Sequence, residues 1–268
     1  RNVMPANPND PILASGPLFA DAELMQIAPT LSYALTDQLS IGVAPTITSG
    51  RLMVDPLGPS AITPDSVHGT GNRVHWGAGF QVGVFYTTET DWQLGFTFKS
   101  PQWFEEFQFY TPSGVVGFDL DYPMILSWGV AYRGFSRWVF TTDLRYIDYK
   151  NTDGFDALGW RSIFALATGV QYQLTDIIAL RAGYNYNQNP IQGEDVLANI
   201  ATPLIQTQNV AAGVTLTLTE NVDAVFSYIY LIDNTVTGAL PEGVFGPGAT
   251  MSHRIRAHSF SLGLTVSY

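Results

Sequence analysis

The chain has 268 residues, of which 46% are apolar and only 13% are charged, well below the roughly one quarter that is usual in soluble domains. Its net charge of −11 excludes a nucleic-acid-binding protein, which needs an excess of Lys and Arg to neutralise phosphates. The sequence contains no cysteine and no run of 18 apolar residues, so disulfides and thiol chemistry are excluded, and any membrane passage has to be made by strands.

Apolar residues alternate with small or polar ones over most of the chain, and a period of two predicts β-strands. In chain order, eleven predicted strands lie near 23–36, 39–54, 73–88, 92–102, 116–133, 137–150, 162–175, 177–189, 205–219, 222–237 and 254–268. Each is long enough for a tilted crossing of a bilayer, which takes about 9 to 11 residues. The last strand shows the pattern most clearly, with an apolar face formed by Phe260, Leu262, Leu264, Val266 and Tyr268.

The predicted connections alternate between tight turns and long loops. The long loops are rich in Gly, Pro, Asp and Asn, and they lie near 55–72, 103–115, 151–161, 190–204 and 238–253. Short turns on one side and long loops on the other are typical of outer-membrane barrels, in which the turns are periplasmic and the loops extracellular.

Aromatic residues on the apolar phase form two bands. One band near the turns contains Tyr33, Tyr86, Trp92, Tyr132, Trp138, Tyr172 and Tyr268, and one near the loops contains Trp76, Tyr122, Tyr186 and Tyr230. Such bands are typical of membrane interfaces. A soluble β-sandwich is the alternative, but its outer face would carry charge rather than Ser, Thr and Gly. The sequence therefore predicts an all-β, transmembrane, antiparallel up-and-down β-barrel of the bacterial outer membrane.

The strand count gives the direction of each strand. If the last strand runs towards the periplasm, the first predicted strand also runs towards it, whereas bacterial barrels normally have an even number of strands. We therefore expect one barrel domain over residues 1–268 that is incomplete at its N-terminus. Residues 1–22, which contain four prolines and no signal peptide, are expected to form an extracellular loop, and residues 23–268 the barrel strands.

Five segments resemble, in their order and spacing, the FadL-type family of outer-membrane transporters for long-chain fatty acids and aromatic hydrocarbons. They are IAPTLSYALTDQLSIGV at 27–43, LGFTFKSPQWFEEF at 94–107, DYPMILSWGVAYRGFSRWVFTTDLRYIDY at 121–149, LRAGYNYNQNPI at 180–191 and HSFSLGLTVSY at 258–268. The resemblance implies a barrel of fourteen strands, with this chain supplying the fourth to the fourteenth. The hatch and the kinked third strand of that family have no counterpart in residues 1–268.

The same resemblance implies passive uptake of a hydrophobic compound, foremost a long-chain fatty acid and otherwise an aromatic hydrocarbon. Extracellular loops would capture the compound, the lumen would bind it, and it would leave sideways into the membrane. Its other implied partners are outer-membrane lipid and the barrel insertion machinery, which would meet the C-terminal strand with its aromatic end. No cofactor, metal or catalytic residue is implied.

A cluster of aromatic residues in one long loop is the predicted capture surface. It contains Trp103, Phe104, Phe107, Phe109 and Tyr110, and an exposed cluster of this size usually marks a binding surface. The alternative, that the rings pack on neighbouring segments above the membrane, remains equally open at this point.

Three cations lie on the predicted lumenal phase and could hold a carboxylate headgroup, namely Lys99, Arg145 and Arg181. Charges inside barrels also pair with one another, and Asp143 is two residues from Arg145 on the same strand face. The sequence therefore favours a structural ion pair for Arg145, while Lys99 ends an otherwise apolar strand beneath the aromatic loop.

Two other functions are weighed. A general diffusion porin lines its constriction with many opposed charges, whereas this lumenal face is chiefly Ala, Gly, Ser, Thr, Asn and Gln. An outer-membrane lipase or protease needs an oriented histidine and a nucleophile. The four histidines, His68, His75, His253 and His258, show neither that arrangement nor the spacing of a metal site.

Overall fold

The computed structural model describes residues 2–3, 17–55, 73–111 and 114–267. Most of them lie in one antiparallel sheet. Its strands are β1 (Asn2–Val3), β2 (Pro17–Ile27), β3 (Leu31–Ala34), β4 (Leu39–Asp55), β5 (His75–Thr87), β6 (Trp92–Lys99), β7 (Trp103–Phe104), β10 (Ile125–Phe135), β11 (Trp138–Ile147), β12 (Ile163–Thr175), β13 (Ile178–Asn187), β14 (Gln208–Thr219), β15 (Val222–Ala239) and β16 (Thr250–Val266). Strands β8 (Phe107–Thr111) and β9 (Gly114–Phe118) form a separate hairpin.

The sheet has up-and-down topology, because each long strand pairs with the next one along the chain. When β2 and β3 are taken as one interrupted crossing, the described residues contain the eleven crossings that the period-two pattern predicts. Tight turns join the strands at one end, called the turn end, and long connections join them at the other, called the loop end. Within the described residues β16 pairs with β15 alone and the sheet does not close on itself. The expectation of three further strands stays a prediction.

Two expected boundaries are corrected, and a third cannot be compared. The first strand begins at Pro17 rather than near residue 23, so the segment 1–22 is not wholly a loop, although residues 4–16 lie outside the described part. The strand expected over 116–133 begins at Ile125, because residues 114–118 pair instead with 107–111 across a local hairpin. The terminal Tyr268, the end of the predicted signal for insertion, also lies outside the described residues.

The sheet wall is interrupted where two prolines face each other. Pairing runs to Ile27 opposite Ile47 and resumes at Leu31 opposite Val43, in the same register, which places Pro29 opposite Pro45. Leu35 N donates to Leu39 O at 2.8 Å, so residues 35 and 39 form a hydrogen-bonded pair. Because hydrogen-bonded and non-hydrogen-bonded pairs alternate along an antiparallel ladder, residues 29 and 45 also occupy the place of a hydrogen-bonded pair. Since neither proline has an N–H, both ladder bonds are missing there.

The outer face carries the apolar residues and the aromatic bands. Near the turn end, rings on neighbouring strands are in contact, with centroids 4.7 Å apart for Trp92 and Tyr132 and 4.4 Å apart for Trp138 and Tyr172. Tyr122 departs from the expected loop-end band, because it lies in the connection after β9, and its ring sits 4.8 Å from the ammonium of Lys99 on the lumenal phase. No helix among the described residues is long and apolar enough to span a membrane.

Candidate lumenal binding site

A segment that follows β6 stays beside β5 after a one-residue shift of register and directs the side chains of Gln102 and Phe104 into the lumen. Residues Ser100–Phe104, here called the inserted segment, pack on a stripe of glycines that faces inward. A Cβ at Gly79 would lie 2.4 Å from Gln102 Nε2 and 2.6 Å from the Pro101 carbonyl oxygen, and a Cβ at Gly77 would lie 2.8 Å from the Phe104 ring. The absence of side chains on β5 therefore makes the room that this segment fills.

Gln102 ties the inserted segment to the neighbouring strands β2 and β4. The side chain is fully buried, and its Oε1 accepts hydrogen bonds from Thr46 Oγ1 at 2.6 Å, Gln26 Nε2 at 2.9 Å and Thr48 Oγ1 at 3.2 Å. These donors come from β2 and β4, directly beside the interruption at Pro29. The inserted segment thus narrows the lumen next to the break in the wall.

Two of the four described side chains in the predicted capture cluster are buried. Phe107 and Phe109 are 3% and 0% exposed and form a core with Leu52, against which Phe104 packs, whereas Trp103 is 54% exposed. Of the two alternatives left open, packing on neighbouring segments therefore holds for Phe107 and Phe109, and exposure holds for Trp103. The hairpin β8–β9 bends back over the lumen and brings these rings inside. The side chain of Tyr110 lies outside the described part.

Two polar contacts anchor this region. His75 is 2% exposed, and its Nε2 accepts the backbone N–H of Gln108 at 3.2 Å, while its ring lies 4.7 Å from that of Phe107. Asp121 accepts the backbone N–H of Phe104 at 2.8 Å. Burial raises the pKa of Asp121 and the neighbouring Asp153 and Asp119 act in the same direction, while the bond from Phe104 opposes them.

A cavity of about 370 Å³ opens on the lumenal face of β11, β12 and β13. Its walls combine apolar and polar side chains, and its lining consists of Asp143, Arg145, Ile147, Tyr149, Ile163, Ala165, Ala167, Asn185 and Asn187. The adjacent registers, Arg145 opposite Ala165 and Ala165 opposite Asn187, bring one guanidinium and one amide to the same level. Small-molecule sites combine apolar walls with convergent polar groups, and this cavity offers both.

Arg145 is not paired with Asp143 as the sequence favours. Within the described residues Arg145 makes no hydrogen bond or salt bridge, and its side chain is exposed to the cavity. The carboxylate of Asp143 leans towards Gly129 of the neighbouring strand, where a Cβ would lie 2.6 Å from Asp143 Oδ1. The guanidinium is therefore available to a ligand, since none of its five N–H donors is bonded to a residue that the structure describes.

The other two predicted cations are engaged. Arg181 donates from Nε to Gln171 Oε1 at 2.8 Å and from Nη1 to Thr215 Oγ1 at 2.6 Å, and Lys99 lies over the Tyr122 ring. Lys99 is two strands and two residues away from Arg145, a separation of about 12 Å at ordinary strand spacings. Arg181 lies six residues closer to the turn end, about 20 Å along the strands. The structure thus does not bring the three cations together.

Packed loops close the cavity at the loop end, a feature that the sequence prediction missed. This loop cap comprises residues 148–161, 188–207 and 234–240. Tyr149, Phe155 and Trp160 form an aromatic triangle with centroids 4.8 to 5.0 Å apart, and Ile191 and Ile205 are fully buried beside it. The sequence signal that could have predicted the loop cap is the presence of apolar residues in loops otherwise rich in Gly, Asp and Asn.

Asn199 holds the loop cap together. It is fully buried, its Oδ1 accepts the indole N–H of Trp160 at 2.5 Å, and its Nδ2 donates to the carbonyls of Leu158 and Asp195, each at 2.9 Å. Burial raises the pKa of Tyr149 to about 12, so its phenol is neutral at neutral pH. The three rings that roof the cavity are therefore uncharged.

An antiparallel up-and-down sheet with an apolar outer face, two aromatic bands and a polar-apolar lumenal cavity defines an outer-membrane β-barrel protein that handles small molecules. A family profile described as outer membrane protein transport protein (OMPP1/FadL/TodX) matches residues 18–268. The chain belongs to this family, whose members transport hydrophobic compounds across the bacterial outer membrane. The resemblance predicted from five sequence segments is confirmed.

Solved structures share this fold at low sequence identity. The Pseudomonas putida toluene transporter TodX superposes with a TM-score of 0.68 at 14% identity, covering 93% of this chain and 70% of that one. The Ralstonia pickettii toluene transporter TbuX gives 0.62 at 14% identity, covering 95% and 70%, and a Pseudomonas aeruginosa FadL homologue gives 0.66 at 15% identity, covering 92% and 68%. No curated protein matches the chain by sequence.

Proposed function

We propose that this protein takes up long-chain fatty acids, and that Arg145 binds their carboxylate in the lumenal cavity. The observation that supports this most directly is the guanidinium of Arg145, which has no partner among the described residues and lies in a cavity with both apolar and polar lining residues. A charge-assisted, bidentate bond to a carboxylate is the interaction that best uses such a group. Ile147, Ile163 and the alanines of β12 would contact the acyl chain.

Capture would begin at the loop end. Among the described side chains of the predicted aromatic cluster, only Trp103 is largely exposed, and Phe104 is half-buried directly behind it on the glycine stripe. A ligand held by Trp103 would need the inserted segment to shift before it reached the lumen. We therefore assign Trp103 and Phe104 to capture, while Phe107 and Phe109 would support that surface from below.

Release would follow the break in the wall. A second lumenal cavity, of about 340 Å³, reaches the interruption between β2 and β3 and is lined by Ala28, Thr30, Ser32, Ser40, Ile41, Gly42, Val43, Ala44, Gln81, Val82, Gly83, Val84, Phe85, Gly95 and Thr97. Because two ladder bonds are missing at Pro29 and Pro45, this is the weakest point described in the wall, and a hydrophobic ligand could pass through it into the membrane.

Replacing Pro29 and Pro45 together by valine restores both N–H groups and is expected to slow uptake of oleate severalfold while leaving its binding unchanged. Two new bonds, each worth about 1 kcal/mol, would stabilise the closed wall. Uptake can be followed with radiolabelled oleate in cells that carry the variant, with Pro241→Val in a distant loop as the matched control. Unchanged uptake in the double variant would contradict release at this point.

A second candidate cargo is an aromatic hydrocarbon, favoured by the apolar roof of Tyr149, Phe155 and Trp160 and by the likeness to structures named as toluene transporters. Titration of the purified protein with oleate, oleyl alcohol and toluene separates the two. The fatty acid proposal expects oleate to bind about tenfold or more tightly than the alcohol, because only oleate carries the charge. Binding of toluene without this preference for oleate would support the hydrocarbon instead.

A further inference from the structure

The outer face of the last strand changes character as it approaches the loop end. Phe260, Leu262, Leu264 and Val266 are outward-facing and highly exposed, and above them on the same face follow His258, Arg256 and Arg254. The intervening residues face inward, since Ile255 packs into the loop cap and His253 Nε2 lies 2.8 Å from the Val196 carbonyl oxygen there. The two arginines therefore stand on the lipid side of the wall.

Aromatic contacts mark the level at which the membrane interface falls. The rings of Phe260 and Tyr228 are 5.0 Å apart, and the His258 ring lies 4.9 Å from that of Tyr230 with its Nδ1 2.8 Å from the Tyr228 hydroxyl. Rings with polar tips settle at the headgroup level of a bilayer. The arginines follow immediately above this level.

The length of β16 also places the two arginines at the membrane interface. Arg256 is ten positions above Val266, which with a rise of about 3.4 Å per residue and a tilt of about 40° corresponds to a height of about 26 Å. Arg254 would lie about 5 Å higher by the same reasoning. Because the apolar band of such barrels is about 25 Å tall, both guanidiniums fall at the headgroups of the outer leaflet.

Arg254 and Arg256 make this part of the surface positively charged, whereas the whole chain carries a net charge of −11. Arg254 Nε lies 2.9 Å from both carboxylate oxygens of Asp233, and Arg256 is close enough to act electrostatically on the same carboxylate. Arg256 makes no hydrogen bond or salt bridge with any residue that the structure describes. Arg254 is thus held in place by Asp233, whereas the N–H donors of Arg256 are not bonded to any described residue.

We propose that Arg254 and Arg256, with Tyr230 and His258 below them, bind a phosphate of the outer-leaflet glycolipid. The outer leaflet of this membrane carries phosphate groups at the height of the two guanidiniums, and the exposed Phe260 and Leu262 continue downward as the surface for the acyl chains. Planar guanidiniums bind phosphate with two parallel bonds, and charge complementarity commits the site to an anionic lipid. This site lies on the outer face and is independent of the proposed lumenal cargo.

The test measures binding of lipid A that carries two phosphates to the full chain in detergent, by native mass spectrometry. Arg256→Gln is expected to weaken binding about fivefold, the effect of about one arginine at an anionic surface. Asp233→Asn is expected to strengthen it about as much, because Arg254 is released and a competing carboxylate is removed. Since the two variants act in opposite directions, a general loss of folding cannot imitate the result.

Arg161→Gln is the charge-matched control, because Arg161 is bound to Glu194 in the loop cap, with a distance of 2.8 Å. It should bind lipid A like the wild type, and dephosphorylated lipid A should bind the wild type at least fivefold more weakly. Unchanged affinity in Arg256→Gln, or equal losses in Arg256→Gln and Arg161→Gln, would overturn the proposal. Full competition by millimolar inorganic phosphate would also overturn it, since it would indicate a site for free anions.

Discussion

Replacing Arg145 by alanine is expected to lower the affinity of the protein for oleate about 10- to 150-fold. A hydrogen bond to a charged group contributes about 1.5 to 3 kcal/mol, and the cavity offers no second free cation among the described residues to replace the guanidinium. Folding should not suffer, because Arg145 makes no hydrogen bond or salt bridge within the described residues. The measurement is a titration with a fluorescent fatty acid, repeated with oleyl alcohol.

Arg181→Ala is the matched control for Arg145→Ala. It removes the same charge from the same lumenal surface, but from a guanidinium that is already bonded to Gln171 and Thr215. Oleate binding should be nearly unchanged, and Lys99→Ala, which loses a cation held over Tyr122, should weaken it at most severalfold. If Arg145→Ala binds oleate as the wild type does, or if oleyl alcohol loses as much affinity as oleate, the headgroup assignment is wrong.

Replacing Gly79 by alanine is expected to expel the inserted segment from the lumen. The new Cβ would lie 2.6 Å from the Pro101 carbonyl oxygen, a backbone atom that cannot move without the whole segment. Once Gln102 leaves, its bonds to Thr46, Gln26 and Thr48 are lost, at about 1 kcal/mol each. We expect proteoliposomes that contain the variant to swell severalfold faster in small sugars, and protease to cut within residues 100–106.

Gly95→Ala is the control for this experiment, because a Cβ there meets nothing within 4 Å although the residue faces the same lumen. Its swelling rate and its protease pattern should match those of the wild type. Slow swelling of Gly79→Ala, with the inserted segment still protected, would mean that this segment does not narrow the passage.

The eleven crossings could be predicted from the sequence, because the bilayer and the lumen impose opposite polarity on alternate residues. The inserted segment could not be predicted, since Gly77 and Gly79 fit the small-residue lumenal phase of any strand, and nothing local shows that Phe104 and Gln102 occupy the space above them. The hairpin that buries Phe107 and Phe109 was missed for a related reason, because a period-two pattern does not distinguish a strand of the wall from a strand folded back over it.

Side-chain pairing in the lumen was equally hard to predict. Asp143 and Arg145 share a face, and a spacing of two favours an ion pair. Gly129, opposite Asp143 on the neighbouring strand, has no side chain, and the Asp143 carboxylate lies over it instead. The three cations were correctly placed on the lumenal phase. Their separation depends on which strands are neighbours and at which register, and that information becomes available only with the assembled sheet.

Asn199 has a consequence for how the entrance can work. The buried amide of Asn199 joins two connections of the loop cap, and His253 of the last strand contacts the Val196 carbonyl in it. The loops over the cavity should therefore move together rather than one by one. The motion that admits a ligand would then occur mainly between the rigid loop cap and the hairpin β8–β9. The loop end would then consist of a rigid part, the loop cap, and a more mobile part, the hairpin β8–β9, which follows the inserted segment that carries Trp103.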